Sequence, residues 1–127
     1  KYPVWISDIY TLTDALAMIQ TIGRLTGATE KAISIADEIK TRFEALTPGP
    51  TRRVAYLIWQ NPLMVAGSHT FIHDMLMRCR FENAFGETPR YPEITENQLQ
   101  EAAPEWILLS SEPYPFGEKH RAYFQQL

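Results

Sequence analysis

The chain has 127 residues, 45% of them hydrophobic and 21% charged, which is typical of one folded globular domain and argues against disorder. Its net charge is −3 and it has no dense lysine or arginine run, which argues against nucleic acid as a partner. No apolar run approaches the roughly 18 residues of a membrane-spanning helix, and the single cysteine, Cys79, excludes an internal disulfide.

The chain begins with a predicted strand and helix. Residues 3–6 (PVWI) form a short apolar run of the kind found in buried strands. Thr11 and Asp14 have the spacing of a capping box, which marks the start of a helix. Apolar residues then recur at helical spacing as far as Gly27, a residue favoured just beyond a helix C-terminus.

Residues 28–46 predict a second, long helix. Thr29 is the expected cap, and the sequence Pro48-Gly49-Pro50 prevents the helix from continuing. At about 1.5 Å per residue the helix is on the order of 27 Å long, enough to brace a small domain. Its apolar face is predicted to contain Ala32, Ala36, Ile39, Phe43 and Leu46.

The middle of the chain predicts a core strand followed by a helix. Residues 53–59 (RVAYLIW) are the strongest strand signal in the sequence. A helix is predicted near residues 70–80, and a short strand near residues 84–85. The helix is expected to turn Phe71, Met75, Leu76 and Cys79 inward, which would make Cys79 a buried, inert thiol.

The last part of the chain predicts helix, strand and helix. Thr95 and Gln98 form a second capping box, for a helix that turns Leu99 and Ala102 inward and ends at Pro104. Residues 106–109 (WILL) predict a strand, residues 110–116 a proline-rich loop, and residues 117–127 a final helix. Strands thus alternate with helices and no hairpin signal is found, which predicts an α/β layered domain with a mainly parallel sheet. The final helix carries Tyr123, Phe124 and Leu127.

Three loops combine aromatic residues with prolines: residues 59–68, 90–92 and 110–116. Ligands bind outside the carboxyl ends of the strands in open parallel sheets, and two of these loops follow predicted strands. Prolines fix the shape of a loop, so the aromatic side chains would suit a bulky, partly apolar ligand. The alternative is that these side chains only cover the edge of the sheet.

The three histidines raise a metal hypothesis. His69 and His73 are four residues apart and could share a helix face, as a zinc pair does, but no third ligand has suitable spacing. His120 is expected on the surface. The sequence has no hydrolase elbow around Ser68 and no phosphate-binding glycine loop, so it predicts no enzyme and no cofactor.

Over nearly its whole length the chain resembles the helical-backbone (class III) periplasmic substrate-binding proteins of ABC importers, of the cobalamin and ferric-siderophore type. The C-terminal lobe of that family is matched by residues 53–59, 65–76, 83–85, 90–95, 99–109 and 111–116, and residues 3–7, 12–27 and 32–46 match the end of the first lobe and the connecting helix. The resemblance implies two α/β lobes that clamp a ligand between them, joined by one backbone helix.

By the same resemblance, residues 1–27 would be the end of the first lobe, residues 28–47 the inter-lobe backbone helix and residues 48–127 an incomplete C-terminal lobe. The fold class is then α/β, an α-β-α lobe with a mainly parallel sheet. Ligand-binding positions would be Trp59, Asn61, Pro62, Met64, Tyr91, Glu112, Tyr114 and Phe116. Counting along the chain places the family's permease-docking acid near Asn97. Glu93 and Glu96 are the nearby acidic residues that would dock on the permease in its place.

The implied function is the substrate-binding component of an importer for an iron-siderophore, haem or cobalamin-like complex, periplasmic or anchored outside the inner membrane. The alternatives are a zinc or manganese receptor using His69 and His73, and a chelatase-like tetrapyrrole enzyme using Glu112. Since the chain starts at Lys1 with no signal peptide, we expect a piece of a longer protein that has weak or no affinity for ligand alone. We also expect self-association through Ile33, Ile35 or Phe43 of the backbone helix.

Overall fold

The computed structural model describes residues 1–47 and 49–127, which form two compact units, Lys1–Pro48 and Gly49–Leu127. Pro48, part of the predicted helix stop and of the predicted 48–127 lobe, lies outside the described residues. That the first unit belongs to another lobe stays a prediction.

The first unit is a pair of helices, α1 (Leu12–Thr26) and α2 (Thr29–Glu44). The predicted capping box of α1 is confirmed, because Asp14 accepts the Thr11 amide at 2.9 Å and donates its own amide to the Thr11 hydroxyl. Hydrogen bonds from the Thr11 side chain and the Tyr10 amide lower the pKa of the Asp14 carboxyl. The helices meet closely because Gly23 has no Cβ to collide with Ala32.

The junction of the two helices corrects the predicted cap of α2. Gly27 is left-handed, with φ 74°, and Ala28 is the N-cap residue and makes no side-chain cap bond. Thr29 is already helical, so the prediction that it caps α2 is wrong. The tight turn leaves two residues, Gly27 and Ala28, between the helices, and α2 therefore begins one residue later than predicted.

The apolar face of α2 is only partly covered. Ala32 and Ala36 are buried, and Ile39 and Phe43 are half-buried, whereas Leu46 is 47% exposed. The predicted strand at residues 3–6 is wrong, since these residues form no strand within the described part of the chain. Val4 and Ile6 are at least 80% exposed. An apolar run forms a stable strand only when neighbouring strands pair with it.

The second unit contains a four-stranded sheet with β1 (Arg52–Trp59) at its centre. Strand β3 (Phe81–Asn83) and strand β4 (Trp106–Leu109) pair with β1 in parallel, while β2 (Met64–Val65) pairs with it antiparallel. The predicted α/β class with a mainly parallel sheet is confirmed. The prediction of no hairpin is wrong, because Pro62 and a register shift in β1 hide the two-residue strand β2 from any simple alternation of apolar and polar residues.

Three short helices accompany the sheet: α3 (Phe71–Arg78), α4 (Glu96–Glu101) and α5 (Glu118–Phe124). The hydroxyls of Thr70 and Thr95 cap α3 and α4, and the capping box predicted at Thr95 and Gln98 is confirmed. None of the helices in the described ranges is both long enough and apolar enough to cross a bilayer.

The core of this unit lies on both faces of β1. Ala55 and Leu57 pack with Leu99 of α4 and Phe124 of α5, and Val54, on the opposite face of the strand, is also fully buried. Both faces are therefore covered, as in a layered α-β-α lobe. At the amino ends of β1 and β4, Arg52 pairs with Glu105 at 2.5 Å, and this bond lowers the pKa of Glu105.

Several local predictions are wrong in this unit. Cys79 is exposed because α3 ends at Arg78, which leaves the thiol beyond the covered face of the helix. The short strand lies at residues 81–83 rather than 84–85. Oδ1 of Asn83, the last residue of the strand, accepts a hydrogen bond from the Phe85 amide in the turn that follows. Trp106 begins β4 as predicted but is 48% exposed, and His120, predicted on the surface, is 6% exposed.

Candidate functional site

An aromatic cluster lies where β1 ends. Trp59, the last residue of β1, is 37% exposed, and its ring meets that of Tyr114 edge-on, with centroids 5.3 Å apart. The ring of Tyr114 is also 4.7 Å from that of Phe116, in the loop that follows β4. Parallel pairing of β1 with β4 brings both carboxyl ends to one edge of the sheet, which is why these side chains meet. We call Trp59, Tyr114 and Phe116 the aromatic cluster.

His120 lies behind the aromatic cluster. Its Nδ1 accepts a hydrogen bond from the Gly117 amide at 2.8 Å, at the start of α5, and its Nε2 is 3.2 Å from Oη of Tyr114. The imidazole also meets the Tyr114 and Phe116 rings edge-on, with centroids 5.3 Å apart in each pair. Two hydrogen bonds and two ring contacts thus fix the loop that carries Tyr114 and Phe116.

The loop between β1 and β2 lies next to Trp59. Met64 is paired with Trp59 in the β1–β2 register, and Asn61 has a positive φ of 66°. The Asn61–Pro62 and Glu112–Pro113 peptide bonds are cis. Asn61 and Pro62 are exposed and Met64 is half-buried, so this loop adds polar and apolar groups beside the aromatic cluster.

A backbone ladder holds Tyr91 beside β2. The Val65 amide donates to the carbonyl oxygen of Pro92 at 3.2 Å, and the Gly67 amide donates to the carbonyl oxygen of Arg90 at 2.8 Å. Met64 and Glu93 form an antiparallel β-bridge. A Cβ at Gly67 would overlap the Thr88 carbonyl, so the two segments approach this closely only because position 67 is glycine. Tyr91 is 37% exposed, and the Arg90 guanidinium carbon lies 5.9 Å from the centre of its ring.

The predicted site residues therefore fall into a connected arrangement. Trp59, Tyr114 and Phe116 are in ring contact, Met64 pairs with Trp59, and Tyr91 is joined to β2 through the backbone. Glu112 is exposed at the start of the Tyr114 loop. These contacts are all within the chain, so the ligand-binding roles of these residues stay predictions.

The predicted docking acids are both exposed. Glu93 follows the Tyr91 ladder, and Glu96 begins α4. The hydroxyl of Tyr123 donates to Oε1 of Glu96, and this bond raises the pKa of Tyr123. Their side chains are available to a partner, although Glu96 already has Tyr123 as a neighbour.

The predicted histidine pair does not form. His69 precedes the Thr70 cap with φ 53°, outside α3, so it does not share a helix face with His73. The amide nitrogen of Asn83 lies 3.2 Å from Nδ1 of His73, and Oδ1 of Asn83 accepts the Phe85 amide, so Nδ1 of His73 is already an acceptor. Among the described residues no group of three or more His, Cys, Asp or Glu side chains could hold a metal ion.

A groove of about 810 Å³ lies elsewhere in this unit, between α4, β4 and α5. Leu99, Leu108 and Phe124 line it, and none of the predicted site residues does. Glu105, Trp106 and Arg121 also line it, but it runs along β4, whereas ligands in open parallel sheets bind outside the carboxyl ends of the strands. We place the candidate site at the carboxyl end of β1.

His120 is the residue that sequence reasoning missed. It lies three residues after Gly117 and accepts a hydrogen bond from the Gly117 amide. Gln98 has the same spacing from Thr95 and accepts the Thr95 amide at the start of α4. The same spacing, together with three aromatic residues nearby, was the available signal. A lone histidine near the end of a chain was instead expected at the surface.

No protein-family model matches the chain, and no curated protein matches it. Solved structures do. A possible iron-binding periplasmic solute-binding protein from Staphylococcus epidermidis matches 97% of this chain and 48% of its own, at 19% identity and a TM-score of 0.79.

Two Vibrio cholerae structures are also similar. The periplasmic vitamin B12 binding protein matches 99% of this chain and 51% of its own, at 17% identity and a TM-score of 0.69. The periplasmic haem binding protein matches 83% of this chain and 43% of its own, at 21% identity and a TM-score of 0.74.

The chain therefore has the fold found in periplasmic solute-binding proteins, and the predicted resemblance is confirmed at the level of the fold. It spans about half the length of these structures.

Proposed function

We propose that this chain belongs to the substrate-binding component of an ABC-type importer and forms one wall of a site for a metal chelate. The observation that carries this proposal is the match of 97% of the chain, at a TM-score of 0.79, to a protein described as possibly iron-binding. Similar structures described as haem-binding and vitamin B12-binding support the same class of cargo. We expect an iron-siderophore, haem or cobalamin-like complex as ligand, and no resident cofactor.

The candidate site suits such a ligand chemically. Metal chelates of this kind are wide and have apolar faces, and the aromatic cluster offers rings at the carboxyl end of the sheet. Asn61, Pro62, Met64 and Tyr91 would extend this wall, and Glu112 would add an exposed carboxylate. Prolines on both loops lower the entropy cost of presenting these groups.

The same proposal gives the chain a partner and a location. A substrate-binding component delivers its ligand to permease subunits in the membrane, so we place the protein in the periplasm or anchored at the outer side of the inner membrane. Exposed Glu93 and Glu96 would dock on the permease. Self-association through α2 also stays a prediction: Ile33 is 45% and Ile35 38% exposed, and sedimentation of the chain against an Ile33→Ser variant would test it.

The two alternatives have less support. A zinc or manganese receptor would need His69 and His73 on one face, and they do not share one. A chelatase would need an acid or base held in the site, but the exposed Glu112 side chain has no hydrogen bond or ion pair among the described residues that would position it for that task. We propose binding and not catalysis.

The proposal is tested by nuclear magnetic resonance titration of the chain with three diamagnetic probes. These are a gallium-loaded trihydroxamate, zinc protoporphyrin and cyanocobalamin. We expect amide and ring shifts centred on Trp59, Tyr91 and Tyr114 with at least one probe, and weak binding with a dissociation constant above micromolar. The weakness follows because the chain spans about half the length of the matched structures.

Two results would contradict the proposal. One is that no probe shifts any signal at saturating concentration. The other is that the shifts centre on the groove between α4, β4 and α5, near Leu108 and Phe124, and spare Trp59. Micromolar affinity of the chain alone would contradict only the expectation of weak binding.

A further inference from the structure

The tautomer of the His120 imidazole follows from its hydrogen bonds. The donor in the bond at Nδ1 is the backbone N–H of Gly117, 2.8 Å away, so Nδ1 carries a lone pair and no proton. A neutral imidazole with an unprotonated Nδ1 has its proton on Nε2. The hydrogen bond between Nε2 and the Tyr114 hydroxyl, at 3.2 Å, therefore has His120 as donor and Tyr114 as acceptor.

This direction leaves the hydroxyl hydrogen of Tyr114 unused. A phenol can accept one hydrogen bond and still donate another, and no other hydrogen bond of the Tyr114 hydroxyl is found within residues 1–47 and 49–127. Tyr114 is half-buried and packs against Trp59 at the carboxyl end of β1. Its hydroxyl is thus a donor whose acceptor must come from solvent or from a ligand.

The surroundings prevent the pair from rearranging easily. His120 is 6% exposed, and the rings of Tyr114 and Phe116 contact its imidazole edge-on. A flip of the imidazole would place a ring carbon against the Gly117 amide and break the hydrogen bond that this amide donates at the start of α5. Packing and the helix cap therefore hold one tautomer in one orientation.

We propose that His120 is a positioning residue that makes Tyr114 an outward hydrogen-bond donor, and that the ligand presents an oxygen acceptor to it. The inference rests on the proposed function for the identity of the site and extends it to the ligand's chemistry. A carboxylate, hydroxamate or amide oxygen at the rim of a chelate fits such a donor. Because His120 fills the acceptor side of the phenol, Tyr114 discriminates against a ligand that presents a donor there.

The first experiment needs no ligand and no variant. Two-bond proton–nitrogen correlations on the histidine-labelled chain at neutral pH report the tautomer of each imidazole. We expect His120 to carry its proton on Nε2 alone. A proton on Nδ1, in the neutral or the charged ring, would overturn the proposal whether or not any probe binds.

The second experiment measures the affinity of the gallium trihydroxamate for variants of the pair. Tyr114→Phe and His120→Phe should each weaken binding roughly three- to ten-fold, the effect of one hydrogen bond, and the double variant should lose no more than either. Tyr123→Phe, another half-exposed tyrosine but one outside the aromatic cluster, is the matched control and should bind like the unmodified chain.

The outcomes separate the two proposals. Unchanged binding by Tyr114→Phe would overturn the donor role, and unchanged binding by His120→Phe alone would overturn the positioning role. If His120→Phe does not fold, His120→Gln replaces it, because glutamine at this helix position binds back to the cap amide, as Gln98 does at 2.7 Å. If no probe binds the unmodified chain, the proposed function fails, and the tautomer measurement still decides the arrangement of His120.

Discussion

The ring of Trp59 meets the ring of Tyr114 edge-on at 5.3 Å, which joins the last residue of β1 to the loop that follows β4. Aromatic pairs of this geometry stabilise by about 0.5–1.5 kcal/mol beyond the area they bury. The contact links two segments that lie far apart in sequence, and the candidate site depends on it.

We expect Tyr114→Ala to uncover Trp59. In a background with Trp5→Phe and Trp106→Phe, Trp59 is the only indole, and its emission should shift to longer wavelength and become easier to quench. Tyr123→Ala is the control, because Tyr123 contacts Phe124 and lies outside the aromatic cluster. Equal quenching in Tyr114→Ala and the background protein would show that the contact does not shield Trp59.

Gly67→Ala should disturb the segment that carries Tyr91. The added methyl would overlap the Thr88 carbonyl, so the backbone ladder between residues 64–68 and 88–93 must shift, at a cost of about 1–3 kcal/mol. The measurement is chemical denaturation together with amide exchange of Val65 and Gly67.

Gly49→Ala is the control for Gly67→Ala, since nothing lies within 4 Å of a Cβ at position 49. It should leave both the denaturation midpoint and the exchange rates unchanged. Equal effects of the two substitutions would contradict the tight approach at Gly67.

Leu57→Ala should destabilise the chain by about 2–5 kcal/mol, because the side chain is fully buried at the centre of the sheet. Leu25→Ala removes the same atoms from a side chain that is 66% exposed, and its effect should stay within about 0.5 kcal/mol. Denaturant unfolding followed by circular dichroism measures both. Similar losses from both variants would mean that the core does not lie where the structure places it.

Glu96→Gln should lower the pKa of Tyr123. The hydrogen bond to the Glu96 carboxylate favours the neutral phenol and raises its pKa, so this bond stabilises the fold below the ordinary tyrosine pKa and is lost as pH rises through the raised value. Titration of tyrosinate absorbance in the alkaline range should therefore begin earlier in the variant. Glu93→Gln is the control and should leave the titration of Tyr123 unchanged.

Much of the fold was predictable from local patterns. The periodicity of α1 and α2, the capping boxes at Thr11 and Thr95 and the apolar run of β1 each depend on neighbours within a few residues. Parallel pairing followed from the alternation of strands with helices.

The features that were missed depend on contacts distant in sequence or on small differences in element length. Strand β2 has two residues and exists because β1 offers it an edge, which no local pattern reveals. Cys79 is exposed because α3 ends one residue earlier than an inward position requires. Residues 3–6 read as a strand on composition, but a strand needs a partner. His120 is buried by the rings of Tyr114 and Phe116. These residues lie in the loop before α5, so the periodicity of the helix gives no sign of the burial.

The central claim, that the aromatic cluster forms the wall of a chelate site, is tested most directly by two tryptophan variants. Trp59 and Trp106 are both partly exposed, at 37% and 48%, but Trp59 ends β1 whereas Trp106 begins β4. With whichever of the three probes binds the chain, Trp59→Ala should weaken binding about five-fold, from the loss of one aromatic contact, and Trp106→Ala should leave it within about two-fold. Loss of binding in Trp106→Ala with unchanged binding in Trp59→Ala would contradict the account.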